Sequence, residues 1–318
     1  MKMRALGRTG IQIAPIVLGG NVFGWTADEK TSFAVLDSFA EAGCNAVDTA
    51  DVYSSWAPGN KGGESETIIG KWMKARGNRN QMVVITKVGS DMGGGRKGLG
   101  AAYIEKAVDA SLQRLGIETI DLYLSHWPDA ATPYAETLGA YEKLLQKGKV
   151  RAVGASNLDA NQLREALTTA RERKLPRYAV LQPEYNLYDR SGFEGALQDL
   201  CIKEEIGVIT YFGLAKGFLT GKYREKSDLA QSQRGEDVAD YMNPRGMQIL
   251  EALDQVAKRH NARSAEVALA WVMAQPGVTA PIASATSVEQ VRSLVRAASL
   301  NLEVADLALL NGTGPRQL

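Results

Sequence analysis

Four side chains of complementary chemistry follow three short apolar runs of the sequence. Asp48 ends the run at residues 46–48 and Tyr53 lies five residues further on, while Lys87 and His126 follow the next two runs. A phenol titrates near pKa 10, and a neighbouring ammonium stabilises the phenolate, so we expect Lys87 to lower the pKa of Tyr53. Asp48 would keep the lysine charged, and His126 could orient a carbonyl group or relay a proton. The set suits a reaction that creates an alkoxide, such as hydride addition to a carbonyl.

Each of the four residues also has a structural explanation. Asp48 could cap a helix, Tyr53 could be a loop aromatic, Lys87 a surface charge and His126 a histidine satisfied within the core. For any one of these residues alone, the structural explanation is about as good as the functional one. Together, at the ends of three successive apolar runs, the residues favour a common site, because buried charged groups need partners.

Eight short apolar runs alternate with amphipathic segments along the chain. They span residues 16–18, 46–48, 83–86, 120–124, 150–153, 179–181, 208–211 and 280–283. Eight such units, with no Pro- or Gly-rich linker between them, predict a single α/β domain over residues 1–318, a (β/α)8 TIM barrel. Residues 3–14 predict an N-terminal β-hairpin that closes the bottom of the barrel. Extra helices are predicted after strand 7, at residues 244–260 and 264–275, and at the C-terminus, at residues 303–311.

Three residue pairs have the spacing of a helix capping box. They are Thr26 with Glu29, Asp159 with Gln162, and Ser287 with Gln290. In such a box the first side chain accepts from the backbone three residues on, and the second reaches back. Each pair therefore predicts the start of a helix.

Polar residues also follow the later apolar runs. Ser156 and Asn157 follow the fifth run, Gln182 the sixth, Tyr211 ends the seventh, and Ser284 follows the eighth. The functional site of a TIM barrel lies at the carboxyl ends of its strands. We therefore expect all of these side chains to meet at one rim.

Six segments, in chain order, resemble motifs of the aldo-keto reductase superfamily. They read DTADVY at 48–53, ITK at 85–87, DLYLSHWPD at 121–129, GASN at 154–157, QPEYN at 182–186 and LTGKY at 219–223. The resemblance implies a TIM-barrel oxidoreductase that uses NAD(P)(H), without a Rossmann domain, to interconvert carbonyls and alcohols. It implies that Tyr53 is the general acid and base, with Lys87 as the neighbour that lowers its pKa. Asp48 would be the partner of the lysine, and His126 would lie beside the substrate oxygen.

The same resemblance implies contacts with the cofactor. Ser156, Asn157 and Gln182 would hold the nicotinamide amide, and Tyr211 would stack on its ring. The other implied contacts are Gly20, Asn21, Phe212, Gly213, Leu214, Lys216, Gly217, Lys222, Arg234, Ser284, Thr286 and Gln290. We expect NADP(H) rather than NAD(H) as the cofactor.

The sequence departs from the family pattern at both ends of the cofactor site. Phe212 and Gly213 stand where the family usually has Ser-Pro, and Ser284 replaces a usual glycine. Ser293 and Leu294 replace a Glu-Asn pair that commonly contacts adenine. No arginine occurs in residues 283–290.

Residues 93–98 match the pattern GxGxxG as a string. A dinucleotide fingerprint should follow its strand directly and open a helix, whereas here residues 90–92 intervene and a helix can begin only near Ala101. A loop over the barrel mouth is the better interpretation.

Trp25, Trp56 and Trp127 follow three predicted strands and predict an aromatic substrate pocket. The insertion at residues 56–63 would form its rim or lid.

Composition excludes several classes of function. Lys and Arg total 37 against 36 Asp and Glu, a net charge of +1, which gives no basic excess for nucleic acid. No apolar run is long enough for a membrane span and no secretory signal opens the chain, so we expect a cytoplasmic protein. The two cysteines, Cys44 and Cys201, predict no disulfide framework, and two histidines argue against a multi-histidine metal site. The partner is expected to be a small carbonyl or alcohol, and the oligomeric state stays open.

Three functions fit these observations. The first is a carbonyl reductase or alcohol dehydrogenase. The second is a nucleotide-sensing regulatory subunit with little turnover, and the third is a barrel enzyme acting on sugar phosphates without a nucleotide. The complete set Asp48, Tyr53, Lys87 and His126 favours the first, since a pure sensor need not retain it.

Overall fold

A short antiparallel hairpin, β1 (Arg4–Ala5) with β2 (Gln12–Ile13), precedes the rest of the fold in the computed structural model, which describes residues 1–231 and 235–314. Its buried side chains Leu6, Ile11 and Ile13 pack in one cluster with inward-facing residues of the barrel strands. Gly7 has a φ of +54°, and a Cβ there would collide with the backbone nitrogen of Gly207. The hairpin therefore closes the amino-terminal end of the barrel, as predicted.

In the described residues, eight parallel strands form a closed barrel. Each strand is buried along most of its length, as expected when side chains fill the interior and helices cover the outside. The strands are β3 (Val17–Gly19), β4 (Ala46–Asp48), β5 (Val83–Val88), β6 (Ile120–Ser125), β7 (Val150–Ser156), β8 (Val180–Gln182), β9 (Gly207–Thr210) and β10 (Val278–Ala283). They pair in chain order, and β10 pairs with β3 to close the ring. The predicted (β/α)8 TIM barrel is confirmed.

Ten α-helices lie among the described residues; most connect successive strands and surround the barrel, and the last two follow the final strand. They are α1 (Glu29–Glu41), α2 (Glu64–Arg76), α3 (Ala101–Leu115), α4 (Tyr134–Gln146), α5 (Ala160–Arg173), α6 (Ala196–Lys203), α7 (Pro244–His260), α8 (Ser264–Ala274), α9 (Val288–Ala297) and α10 (Val304–Asn311). Short 3-10 helices occupy residues 79–81, 215–220, 226–231 and 236–241. Helices α7 and α8, between β9 and β10, and the terminal α10 confirm the extra helices predicted from the sequence.

The capping predictions have different outcomes. Asp159 and Gln162 form the predicted capping box of α5. The prediction for α1 is wrong: its N-cap is Asp28, whose side chain accepts from the backbone of Thr31 at 2.8 Å. Ser287 caps α9 as predicted, but the side chain of Gln290 accepts from Thr286 instead of Ser287.

Two further features of the chain are the state of its cysteines and the character of its helices. Cys44 and Cys201 are both free and buried. Within the two described stretches, no helix combines the length and the hydropathy that crossing a membrane requires.

Candidate active site

The ammonium group of Lys87 lies fully buried on β5 at the carboxyl end of the barrel. Its three N–H bonds meet three acceptors: Asp48 Oδ2 at 2.7 Å, the carbonyl oxygen of Thr49 at 2.8 Å and Tyr53 Oη at 2.9 Å. A buried charge is costly unless it is paired and hydrogen bonded, and here every donor is used. The structure thus brings three of the four predicted catalytic side chains into direct contact.

Asp48 joins opposite sides of the barrel. Its Oδ2 accepts from Lys87 and, at a longer 3.4 Å, from the hydroxyl of Tyr53. Its Oδ1 accepts from Nε2 of Gln182 on β8 at 2.8 Å. Gln182 was expected from the resemblance as a nicotinamide contact, and it also orients the carboxylate that holds Lys87.

The pKa of Tyr53 is raised to about 12. Burial of the hydroxyl is the largest cause, the charge of Lys87 acts in the opposite direction, and Asp48 adds to the increase. Lys87 therefore acts on the pKa of Tyr53 in the expected direction, but burial outweighs it and the net pKa is raised. The phenol keeps its proton at neutral pH, and its oxygen already accepts an N–H that would stabilise the phenolate.

His126 completes the group, with its ring centroid 6.0 Å from that of Tyr53. Its pKa is lowered well below the ordinary value of 6.5, first by burial and then by the charge of Lys87, so the imidazole is neutral. Its Nδ1 lies 2.9 Å from the hydroxyl of Ser90, a residue that our sequence analysis missed. Ser90 comes two residues after the end of β5, so the rule of polar residues at strand ends could have found it.

A hydrogen-bonded group of neutral side chains lies beside these residues. Asn157 donates to the carbonyl oxygen of His126 at 2.9 Å and to the hydroxyl of Ser156 at 3.1 Å. Tyr211 donates to Asn157 Oδ1 at 2.7 Å, and Ser156 donates to the carbonyl of Gln182 at 2.7 Å. Asn157 has a φ of +62°, a conformation that asparagine tolerates better than most residues. The four residues expected at the nicotinamide therefore lie together.

The segment 212–217 continues the wall of the same cavity. Phe212, Ala215 and Lys216 have φ values of +54°, +46° and +56°, unusual for residues with a Cβ. Such strain clusters at ligand sites, where the surrounding structure maintains it. The ammonium of Lys216 lies over the ring of Phe212, 5.7 Å from its centroid.

Most of these groups line one cavity of about 870 Å³. The predicted site residues among its lining are Asn21, Trp25, Asp48, Tyr53, Trp56, His126, Trp127, Ser156, Asn157, Gln182, Tyr211, Phe212, Gly213, Leu214, Lys216, Gly217, Lys222, Ser284, Thr286 and Gln290. Lys87 lies beneath Asp48 and Tyr53, outside the lining. Gly20 also lies outside it, because its nitrogen donates to the carbonyl of Asp48 and a Cβ there would meet Ser65. Arg234 lies outside the described residues.

Aromatic rings form one side of the cavity mouth. Trp25 and Trp56 pack edge to face with centroids 5.7 Å apart, and Trp56 lies 6.0 Å from the ring of Tyr53. Trp127 stacks on His126 at 5.8 Å. Asn60 holds the insertion at residues 56–63 in place by donating to the carbonyls of Gly24 and Ser54.

A charged pair lies at the end of the cavity next to α8 and α9. Arg263, next to the start of α8, lines it and pairs with Glu289 at 2.6 Å. We missed Arg263 because it lies at the start of a helix, where a search of strand ends does not look. Thr286 donates to Gln290, and Ser284 donates to Asn21, so the cavity wall at this end is already hydrogen bonded.

The composition of this lining fits a nicotinamide dinucleotide. The volume lies in the range of small-molecule sites, about 300–1,000 Å³. Tyr211 offers an aromatic face at the catalytic end, and Lys216, Lys222 and Arg263 supply positive charge toward the other end. A Cβ on Gly217 would meet no atom within 4 Å, so the backbone there is open to a ligand.

Comparison with known proteins gives an independent result. The family model for the aldo/keto reductase family matches residues 15–313. An uncharacterized oxidoreductase of Bacillus subtilis, YrpG, is 34% identical over 99% of this chain and 96% of its own length. An NADH-specific methylglyoxal reductase of Escherichia coli is 32% identical over 98% and 97%. A probable voltage-gated potassium channel subunit beta of Oryza sativa is 32% identical over 92% and 89%.

Because Lys87 is buried, removing its partner Asp48 should destabilise the protein. Asp48→Ala leaves the ammonium buried without its carboxylate and should cost about 3–5 kcal/mol of the free energy of unfolding. The double variant Asp48→Ala/Lys87→Met removes the unpaired charge and should be more stable than the single variant. Urea unfolding followed by fluorescence measures both, with Glu105→Ala, from the exposed pair with Lys143, as the control expected to change little. A double variant no more stable than Asp48→Ala would contradict the prediction.

Proposed function

Because the chain belongs to the aldo/keto reductase family, we propose that it is an NAD(P)(H)-dependent oxidoreductase that interconverts aldehydes or ketones with alcohols. The observation that carries the proposal is the contact of the buried Lys87 ammonium with Tyr53 Oη at 2.9 Å, beside a neutral His126 on a large cavity. A cytoplasmic location and one barrel domain over residues 1–318 stay predictions of the sequence.

In the proposed reaction, each residue of the site has a separate role in proton transfer. The nicotinamide, when bound, supplies or accepts the hydride. During reduction Tyr53 gives its proton to the oxygen of the carbonyl group, and the N–H of Lys87 stabilises the phenolate that remains. Asp48 keeps Lys87 charged and aimed. His126, being neutral, holds the substrate oxygen without adding a second positive charge next to Lys87.

The tryptophans support small substrates with an apolar or aromatic part. Trp56 and Trp127 are about half exposed at the cavity mouth, 47% and 50%, so the entrance accepts groups of different size. The name of the E. coli relative makes methylglyoxal a first compound to test. A panel of aldehydes, ketones and alcohols would define the class.

A regulatory role is the alternative, and the rice channel-subunit relative favours it. A sensor would bind the nucleotide and turn over slowly or not at all. The intact contacts among Asp48, Tyr53 and Lys87 support the enzyme instead. Nucleotide binding without oxidation of NADH or NADPH, across the whole panel, would favour the sensor.

We propose NADP(H) as the preferred cofactor. The support is positive charge at the end of the cavity away from the catalytic group, where Lys222 and Arg263 contribute to the lining. Glu289, which pairs with Arg263, also interacts with the charges of Arg292 and Arg296. It would therefore still have positive charges nearby if Arg263 turned toward a ligand. Arg263 would then be available to a 2′-phosphate.

The first test removes the proton that Tyr53 would donate. Tyr53→Phe should retain nucleotide binding, measured by quenching of tryptophan fluorescence, because the ring remains. It should lose turnover by about 10²-fold or more, the usual contribution of a general acid. Tyr134→Phe, a half-buried tyrosine on α4 outside the cavity, is the matched control. Turnover near that of the unmodified protein would rule out the mechanism.

The second test uses the pKa of Tyr53, raised to about 12. Reduction needs the protonated phenol, which is present throughout the neutral and moderately alkaline range, so its rate should be flat there. Alcohol oxidation needs the phenolate, whose fraction rises about tenfold per pH unit below the pKa. Profiles of kcat/KM in both directions between pH 6 and about 10 measure this. An oxidation rate that levels off near pH 7 would contradict a pKa near 12 for the group that acts as the base, and Tyr53→Phe would then show whether Tyr53 is that group.

The third test concerns the cofactor. Arg263→Gln should weaken binding of 2′,5′-ADP by about tenfold or more, the usual effect of removing a charged partner of a phosphate, and leave binding of 5′-ADP nearly unchanged. Calorimetry measures both, with Arg164→Gln, an exposed arginine on α5 outside the cavity lining, as the control. Equal losses for the two ligands, or tighter binding of 5′-ADP by the unmodified protein, would contradict the NADP(H) preference.

A further inference from the structure

Both the backbone and the ring of His126 are held by neighbouring residues. Its backbone nitrogen donates to the carbonyl of Val88 at 2.8 Å, and its carbonyl accepts from Asn157 at 2.9 Å. Its ring stacks on Trp127, with planes 12° apart. The backbone and the plane of the ring are therefore held, and the next question is which ring nitrogen carries the hydrogen.

Only Ser90 touches the ring nitrogens among the described residues, at 2.9 Å from Nδ1. Both residues are buried, with 8% and 9% of their surface exposed. A neutral imidazole has one N–H and one lone pair, and the hydrogen bond made by one nitrogen decides the state of the other. The contact with Ser90 thus controls whether Nε2 is a donor or an acceptor.

The hydroxyl of Ser90 has no other hydrogen-bond partner within residues 1–231 and 235–314. If Nδ1 carried the hydrogen, Ser90 would accept it, and its own O–H would have no acceptor among the described residues and would depend on water in the small second cavity that Ser90 lines. If Ser90 donates to Nδ1, both groups are satisfied. Buried polar groups are nearly always paired, so the second arrangement is favoured.

We propose that Ser90 is a positioning residue that holds His126 in the Nε2–H tautomer. The catalytic consequence rests on the proposed function: Nε2–H and the hydroxyl of Tyr53 are then two donors for one substrate oxygen. With the opposite tautomer, a lone pair on Nε2 would face that oxygen and repel it. Ser90 acts only through His126.

The tautomer can be measured without any turnover. The chain has two histidines, so ¹⁵N-histidine labelling gives two ring systems, and His260→Asn leaves only that of His126. The unmodified protein should show the Nε2–H form of a neutral ring across the neutral pH range. Ser90→Ala should shift the ring toward a mixture of tautomers, and Ser90→Thr, which keeps the hydroxyl, should restore the original form.

Kinetics supply the second measurement. Ser90→Ala should lower kcat for carbonyl reduction by about tenfold or more, as for other residues that orient a catalytic group, and leave the dissociation constant of the nucleotide unchanged. Ser90→Thr should recover most of that loss. A merely structural role for Ser90 would reduce stability without changing the tautomer.

The outcomes separate the two proposals. An Nδ1–H tautomer in the unmodified protein would overturn the role of Ser90, and so would a Ser90→Ala spectrum identical to that of the unmodified protein. Should Ser90→Ala fail to fold, the spectra of the unmodified protein and of Ser90→Thr still decide. The Nε2–H form in a protein that reduces no carbonyl would support the role of Ser90 while refuting the proposed function.

Discussion

The burial of one ammonium group constrains the rest of the site. Lys87 has no contact with solvent, so its three donors require three acceptors from the chain. Asp48 pairs in register with Ile85, and side chains alternate along β5, so Ile85 and Lys87 share the inward face. That register brings the carboxylate within 2.7 Å of the ammonium. Gln182, from the other side of the ring, then fixes the second carboxylate oxygen, so the closed barrel and the charge pair depend on each other.

The same burial has opposite effects on the two groups that flank Lys87. It raises the pKa of Tyr53 and lowers the pKa of His126, because in each case the charged form is disfavoured. The charge of Lys87 opposes burial at the phenol but adds to it at the imidazole. The result is a protonated phenol and a neutral imidazole over one charged pair. Both neutral groups can donate a hydrogen bond, which is what an oxygen that gains negative charge requires.

The sequence predicted the parts of the structure that follow from local pattern. All eight strands, the hairpin and the extra helices come from apolar periodicity, and the rule for strand ends found Asp48 and Lys87. The start of α1 was wrong because Thr26 and Asp28 are both good caps, and local spacing cannot choose between them. The tertiary structure chooses: Phe23 and Ala27 form a bridge that keeps the chain non-helical to that point. The net pKa of Tyr53 was also beyond the sequence, since it depends on how deeply the hydroxyl is buried.

The two ends of the cavity are under different physical constraints, and this explains why the sequence specifies the chemistry better than the cofactor. At the catalytic end, Asn157 uses both donors and its acceptor within the chain, so its geometry is set before any ligand arrives. At the far end, the pair of Arg263 with Glu289 is exposed to water, where such a pair contributes little and rearranges at low cost. If this end binds the nucleotide as proposed, a few substitutions there would change which nucleotide binds without disturbing the catalytic group. Under the proposed function, the reaction type would therefore depend on the buried residues of the barrel, and the choice of nucleotide on exposed residues next to its surrounding helices.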